Sequence, residues 1–210
     1  MSPILALLLG SFILPLFISS WRVALACLFG QGVLMTWIAW HGNHHPGSPE
    51  TIFALLDYLA IRGMGLPWAL FSVLRSRKVP YAINIIPPNL LAWIMTLGLV
   101  LLAFNFSALL MHNPEEQRHA VSVVVSGVLL GLFILSAAKT LFSQMLGAIF
   151  IENSIALFEL THDGHTGPWI LRLGLMGVAV LTFTLYRWYL ANGGEKDAEK
   201  IPESLEGPTI

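Results

Sequence analysis

The sequence predicts an all-α, polytopic membrane protein with about seven transmembrane helices. Of its 210 residues, 56% are hydrophobic and only 11% are charged, whereas soluble domains carry about 25% charged residues. Apolar runs of about 18 residues or more recur along the chain, as in transmembrane helices. This pattern excludes a soluble globular enzyme, a nucleic-acid-binding domain and a disordered chain. We expect a multi-pass protein of the cell inner (plasma) membrane, in contact with the lipid bilayer and with no nucleic acid.

Charged and turn-forming residues divide the chain into seven apolar segments. At 1.5 Å per residue, each segment is long enough for a hydrocarbon core of about 30 Å, and β-barrel strands would be much shorter. Residues 1–190 are therefore predicted to form a transmembrane helical domain, and 191–210 a polar tail on the inner side. An irregular connector is predicted at 79–88. The segments lie at about 3–19, 22–40, 51–74, 89–111, 119–138, 140–161 and 168–190.

Basic residues indicate the orientation of the chain. With the N-terminus outside and the C-terminus inside, only Arg118 lies on the outer side, which follows the positive-inside rule. All seven histidines then fall on the outer side, where polar loop residues, an external pH sensor or a metal site at His41-x-x-His44-His45 are alternatives. With one cysteine, the chain has no CxxC motif, and we expect no metal and no cofactor. The inner basic residues are Arg22, Arg75, Arg77, Lys78, Lys139, Arg187, Lys196 and Lys200.

Five charged residues lie inside the predicted segments, apart from Arg22 and Arg187 near their inner ends. A charge at the bilayer centre costs about 2.5–3.5 kcal/mol and usually marks a functional pathway. Glu152 and Arg62 lie at similar depth, so they are expected to pair, and Glu159 is expected to pair with Arg172 across a short loop. A proton path and a set of structural ionic clamps both remain open. The predicted path residues are Glu152, Arg62, Glu159, Arg172, Asp57 and the amide Asn153.

Small and polar residues predict contacts between helices. Glycines permit backbones to approach closely, and the pairs are Gly30 with Gly32, Gly63 with Gly65, and Gly174 with Gly177. Gln31, Asn105 and Gln144 are lone polar residues in apolar segments, where we expect interhelical hydrogen bonds.

Residues 139–161 contain Lys139, Gln144, Gly147, Glu152 and Asn153. These residues match a pattern of a basic residue and a Gln before the helix, a Gly within it and a central Glu-Asn. By this pattern the stretch resembles the E component of hydrogenase-4 and formate hydrogenlyase complexes. The third segment matches more loosely, through Arg62, Pro67 and Val79-Pro80. In its last three helices that family is similar to the K subunit of respiratory complex I and the C subunit of multi-subunit cation/proton antiporters. The resemblance makes 119–190 a three-helix unit of that kind.

The resemblance implies a membrane-arm subunit of a complex I-like assembly of the group 4 hydrogenase type. Such a subunit would contribute to proton or cation translocation through Glu152, would not be catalytic alone, and would be part of an oxidoreductase complex. Its partners would be larger antiporter-like membrane subunits and a peripheral redox module. The family carries a second acid where Gly174 falls, and here Arg172 is the nearest charge. A subunit of an antiporter or ion-uptake system, or a non-conducting scaffold, remains an alternative.

Overall fold

The chain is almost entirely helical over the residues that the structure describes. In this computed structural model those residues are 2–18, 20–42, 49–76, 85, 90–110, 115–138, 140–162, 173–174, 176–178, 180–185 and 187–188. No strand occurs among them, so the predicted all-α class is confirmed. Apart from Ile85, the predicted connector lies outside the described residues, as does the predicted tail at 191–210.

The helices begin and end within a few residues of the first six apolar segments. One continuous helical stretch, Pro49–Ser76, consists of a short α-helix, a π-helix and a second α-helix. Further helical residues occur between 173 and 188, inside the seventh predicted segment. The bounds are α1 Pro3–Phe17, α2 Trp21–Gly42, α3 Pro49–Leu55, π-helix Leu56–Gly65, α4 Leu66–Ser76, α5 Leu90–Leu110, α6 Glu115–Ala137 and α7 Leu141–His162.

Five helical stretches are long and apolar enough to cross a membrane. They are Trp21–His41, Thr51–Ser72, Leu90–Leu109, Gln117–Ala137 and Leu141–Thr161. Two shorter apolar helices, Pro3–Phe17 and Met176–Leu185, accompany them. The chain is thus a helical membrane protein, as its composition predicts.

The α6–α7 contact is the most extensive helix contact in the described residues. A Cβ atom added to Gly131 would lie 2.7 Å from the carbonyl oxygen of Gly147, closer than real Cβ contacts. The surrounding side chains are aliphatic, including Ile134, Leu135 and Ile151. Glycine at these two positions therefore lets the two backbones touch, and close apolar packing holds the pair together.

A second close contact joins α2 to the π-helix. A Cβ atom on Gly32 would lie 2.6 Å from the backbone nitrogen of Gly63 and 2.7 Å from the carbonyl oxygen of Tyr58. The predicted close approach is confirmed at this pair. At Gly30, Gly174 and Gly177 an added Cβ atom would meet nothing within 4 Å. Within the described part of the chain, the predicted close helix contact is therefore wrong for these three glycines.

Helix α5 lies at the edge of the bundle and packs mainly against α6. Its buried face consists of the small residues Ala92, Thr96, Ala103 and Ser107, while most of its large apolar side chains are exposed, as expected for a lipid-facing helix. Asn105 is exposed and donates a hydrogen bond to the carbonyl oxygen of Leu101 in its own helix. The predicted interhelical bond of Asn105 is therefore wrong.

Candidate functional site

The π-helix brings Asp57 and Arg62 together. In an α-helix of 3.6 residues per turn, side chains five residues apart diverge by about 140°. The wider turn of a π-helix, with its i→i+5 hydrogen bonds, reduces that divergence. The Nε atom of Arg62 lies 3.0 Å from Oδ2 of Asp57. This ion pair is buried, with 2% of the Arg62 side chain and 9% of the Asp57 side chain exposed.

The spacing of buried residues also differs between the π-helix and the α-helix that follows it. Asp57 and Tyr58 are buried together, and the next buried pair, Arg62 and Gly63, comes five residues later. After the π-helix the interval returns to four, at Leu66 and Pro67. A short π-turn inside an α-helix often marks a functional site, and this π-helix extends over ten residues.

A chain of hydrogen bonds continues from Arg62 across the bundle. Nη1 of Arg62 donates to Oδ1 of Asn153 over 3.0 Å, and Nδ2 of Asn153 donates to Oε1 of Gln31 over 2.8 Å. Nε2 of Gln31 then donates to the carbonyl oxygen of Ser11 over 3.3 Å. A guanidinium can only donate and a carbonyl can only accept. The Arg62 guanidinium at one end and the Ser11 carbonyl at the other therefore determine which atom of each amide side chain donates and which accepts. We call Asp57, Arg62, Asn153 and Gln31 the polar network.

The polar network lies halfway along its helices. Gln31 is the eleventh of the 22 residues of α2. Arg62 is the twelfth of the 22 residues of the apolar stretch Thr51–Ser72, and Asn153 is the thirteenth of 22 in α7. All four members are buried. The network therefore links α1, α2, the π-helix and α7 at the level where water is scarcest and hydrogen bonds within the protein matter most.

Tyr58 adds a second link between the π-helix and α7. Its hydroxyl group donates to the carbonyl oxygen of Ala156 over 3.4 Å, and the side chain is fully buried. Because Ala156 lies about one turn beyond Asn153, this bond and the Arg62–Asn153 bond hold the same two helices at successive levels.

Glu152 lies beside the network and is partly exposed. Adjacent residues of an α-helix project about 100° apart, so α7 turns Asn153 toward Arg62 and Glu152 toward another neighbour. The side chain of Thr182, in the helical segment Met176–Leu185, lies near the Glu152 carboxyl group, and the charges of Arg62 and Asp57 act on that group. Arg62 forms its ion pair with Asp57 of the same helix and not with Glu152, so the expected Glu152–Arg62 ion pair is wrong.

The remaining predicted path residues are Glu159 and Arg172. Glu159 is partly buried on α7, seven residues beyond Glu152. Arg172 lies outside the described residues. The Glu159–Arg172 pair therefore stays a prediction.

The predicted histidine site falls mostly on residues that are not described. His44, His45, His112 and His165 lie outside the described residues. The ring of His41 stacks on Trp37, with 4.3 Å between ring centroids. Within the described part of the chain, no group of three or more His, Cys, Asp or Glu side chains could hold a metal ion.

Two parts of this arrangement were missed from the sequence. Gln31 was expected to make an interhelical hydrogen bond, and it does, but its place between Ser11 and Asn153 was not foreseen. The Asp57–Arg62 pair was missed because an α-helix was assumed. Opposite charges five residues apart in an apolar segment are the signal that could have indicated a wider helical turn.

Fold and site together define a class, a helical membrane protein with a buried, charged hydrogen-bond network halfway along its spanning helices. Comparison with protein-family models, with curated proteins and with solved structures finds no match for the chain. The hydrogenase-4 resemblance accordingly remains a prediction.

Proposed function

We propose that the chain is a membrane-arm subunit of a complex I-like assembly of the group 4 hydrogenase type, and that it contributes to proton or cation translocation through Glu152. The observation that supports this proposal is the position of Glu152, which is partly exposed, lies halfway along α7 and directly precedes Asn153, the residue that bonds the buried Arg62. Carboxyl groups at such depth are costly and mark ion or proton paths in membrane proteins.

The proposed topology has seven spans, with the N-terminus outside and the C-terminus inside the inner (plasma) membrane. Pro3–Phe17 and Met176–Leu185 are the two helices added to the five longer stretches. The distribution of Lys and Arg supports this orientation. Fusions of a reporter that is active only on one side of the membrane, placed after each helix, test it.

The proposed partners are larger antiporter-like subunits and a peripheral redox module. The partial exposure of Glu152 supports a partner here, because a carboxyl group at this depth needs a polar neighbour or a water-filled path. Purification of the tagged chain from its host in mild detergent tests this point. Antiporter-like subunits without redox subunits would favour the antiporter alternative.

A structural scaffold is the second candidate function, and one observation favours it. Arg62 is neutralised within its own helix and bonded to Asn153 of α7, as an ionic clamp requires. A clamp needs no proton movement. On this alternative, Glu152 has no role in transport and Arg62 is needed for assembly.

Glu152→Gln in the intact complex separates the two candidates. We expect at least a tenfold loss of proton or cation transport into membrane vesicles, with the complex still assembled on a native gel, because the amide cannot carry a proton. Glu115→Gln, at the start of α6, is the matched control and should transport normally. Normal transport by the Glu152→Gln complex would contradict the proposal and favour the scaffold.

A further inference from the structure

The outward face of α5 carries one polar side chain among exposed apolar ones. An α-helix turns by about 100° per residue, so Asn105 lies about 180° around α5 from Thr96, which is fully buried. Asn105 is exposed and therefore points away from the rest of the bundle. It is the sixteenth of the 20 residues of the span Leu90–Leu109, about 6 Å inside the end of that span. In a single copy of the chain, this amide would face lipid.

The hydrogen-bonding capacity of the Asn105 amide is only partly used. Its Nδ2 atom donates to the carbonyl oxygen of Leu101 over 2.9 Å, and the side chain has no other partner within the described residues. A second N–H and the carbonyl oxygen Oδ1 remain. In hydrocarbon, where no water can replace them, unmade hydrogen bonds are costly. The remaining groups of Asn105 therefore indicate a polar partner from outside the chain.

Asn105 belongs to a stripe with the spacing of a contact between two helices. Its members are separated alternately by three and four residues, the interval of a left-handed helix pair, and all of them are exposed. At Gly98, seven residues before Asn105, an added Cβ atom would meet nothing within 4 Å, so a second helix can approach this backbone closely. The outer α5 stripe consists of Leu91, Ile94, Gly98, Leu101, Asn105 and Ala108.

We propose that the outer α5 stripe binds the same stripe of a second copy of this chain, in a parallel pair related by a two-fold axis along the membrane normal. All copies insert in one orientation, so in such a pair each residue on the axis faces its own counterpart at the same depth. This inference goes beyond the proposed function and does not depend on it.

The stripe is complementary to itself at two levels. Gly98 of one copy would meet Gly98 of the other, where the two backbones can touch. Asn105 would meet Asn105, and because an amide contains both a donor and an acceptor, the two side chains can satisfy each other. No residue between 90 and 110 is charged, so nothing on α5 repels an identical helix. A different partner would need a small residue and a polar residue at the same two depths, and a second copy has both.

Single-molecule photobleaching of the labelled full chain in lipid vesicles tests the proposal. Counting bleaching steps over a series of protein-to-lipid ratios gives the fraction of paired chains. The wild type should pair increasingly as the ratio rises. Asn105→Leu should weaken the association about tenfold, because it removes the interhelical hydrogen bonds. Asn105→Gln keeps the amide and should retain most of the association.

Gly98→Leu tests the close approach of the two backbones. The larger side chain should keep the helices apart and weaken the association at least as much as Asn105→Leu does. Gly10→Leu is the matched control on α1, because Gly10 is also exposed and an added Cβ atom there would meet nothing within 4 Å. The control should pair like the wild type. Circular dichroism with size-exclusion chromatography confirms that each variant is folded.

Disulfide cross-linking tests which face of α5 is in contact. In a Cys27→Ala background, Ile94→Cys should form a disulfide-linked pair of chains in oxidised membranes. Met95→Cys is the matched control, because Met95 is also exposed but projects about 100° away from the stripe. It should cross-link far less.

Three results would overturn the proposal. The first is a wild type that bleaches in single steps at every protein-to-lipid ratio. The second is pairing that neither Asn105→Leu nor Gly98→Leu weakens, since the contact would then lie elsewhere. The third is a wild type that stays single while Asn105→Leu loses other subunits during purification in mild detergent, since the stripe would then bind a different protein. Denaturant titration in excess detergent, which separates the copies, reports the stability of the single chain independently.

Discussion

Two pairs of glycines bring helices of this bundle into close contact, and the two contacts differ in what lies beside them. Gly131 and Gly147 join α6 to α7 among aliphatic side chains. Gly32 and Gly63 join α2 to the π-helix, and each directly follows a member of the polar network, Gln31 or Arg62. The first contact serves apolar packing. The second also brings polar groups of two helices close enough to bond through Asn153, so the same small residue supports two different tasks.

Arg62→Ala removes the ion pair of the polar network and should lower the free energy of unfolding most. It leaves Asp57 buried without its counter-ion, and breaking a buried ion pair from one side costs about 3–5 kcal/mol. Denaturant titration in detergent, followed by circular dichroism, measures the free energy of unfolding. Arg75→Ala is the matched control, because Arg75 is exposed at the end of α4 and lies 6.0 Å from the ring of Phe71. Equal losses in the two variants would show that the ion pair contributes little.

Gly32→Ala should have the next largest effect. The new Cβ atom would overlap the backbone of the π-helix, and overpacking of this kind costs about 1–3 kcal/mol. Gly30→Ala, two residues away in the same helix, meets open space and should cost far less. An equally large loss in Gly30→Ala would mean that helix propensity or lipid contact, and not the contact with Gly63, determines the effect.

Gly131→Ala tests the apolar glycine contact between α6 and α7. Its Cβ atom would overlap Gly147 and Ile151, so the loss of stability should again be about 1–3 kcal/mol. Combined with Gly32→Ala, the two losses should add, because the two contacts share no residue. A combined loss that differs from the sum by more than about 0.5 kcal/mol would show that the two contacts are coupled.

Gln31→Leu and Asn105→Leu should lower the free energy of unfolding least, and the loss should be larger for Gln31→Leu. Gln31 bonds two other helices, and such bonds contribute about 0.6–2 kcal/mol in membranes. Asn105 is exposed and bonds only its own helix, so its change should stay within about 0.5 kcal/mol. The same denaturant titration measures both. A larger loss in Asn105→Leu would reveal a contact at α5 from outside the chain.

Much of the fold could be predicted because hydrophobicity alone distinguishes transmembrane segments from loops. The start of α2 at Trp21 and the end of α7 at His162 lie within one residue of the predicted segment bounds. The common depth of Arg62 and Glu152 was also predictable, since depth follows from counting along an apolar helix. The partner of Arg62 was not, because it depends on the local number of residues per turn. Hydropathy has the same value in an α-helix and in a π-helix.

The π-helix also affects how the sequence is compared with others. A π-turn holds about one residue more than an α-turn, so residues on either side of Leu56–Gly65 are shifted in phase relative to a continuous α-helix. A helical wheel drawn through this stretch assigns Asp57 and Arg62 to different faces, although they touch. An alignment with a purely α-helical counterpart would need a gap of about two residues here, one for each π-turn, to superpose the buried positions on both sides. Substitutions in this stretch are therefore best designed at intervals of five residues.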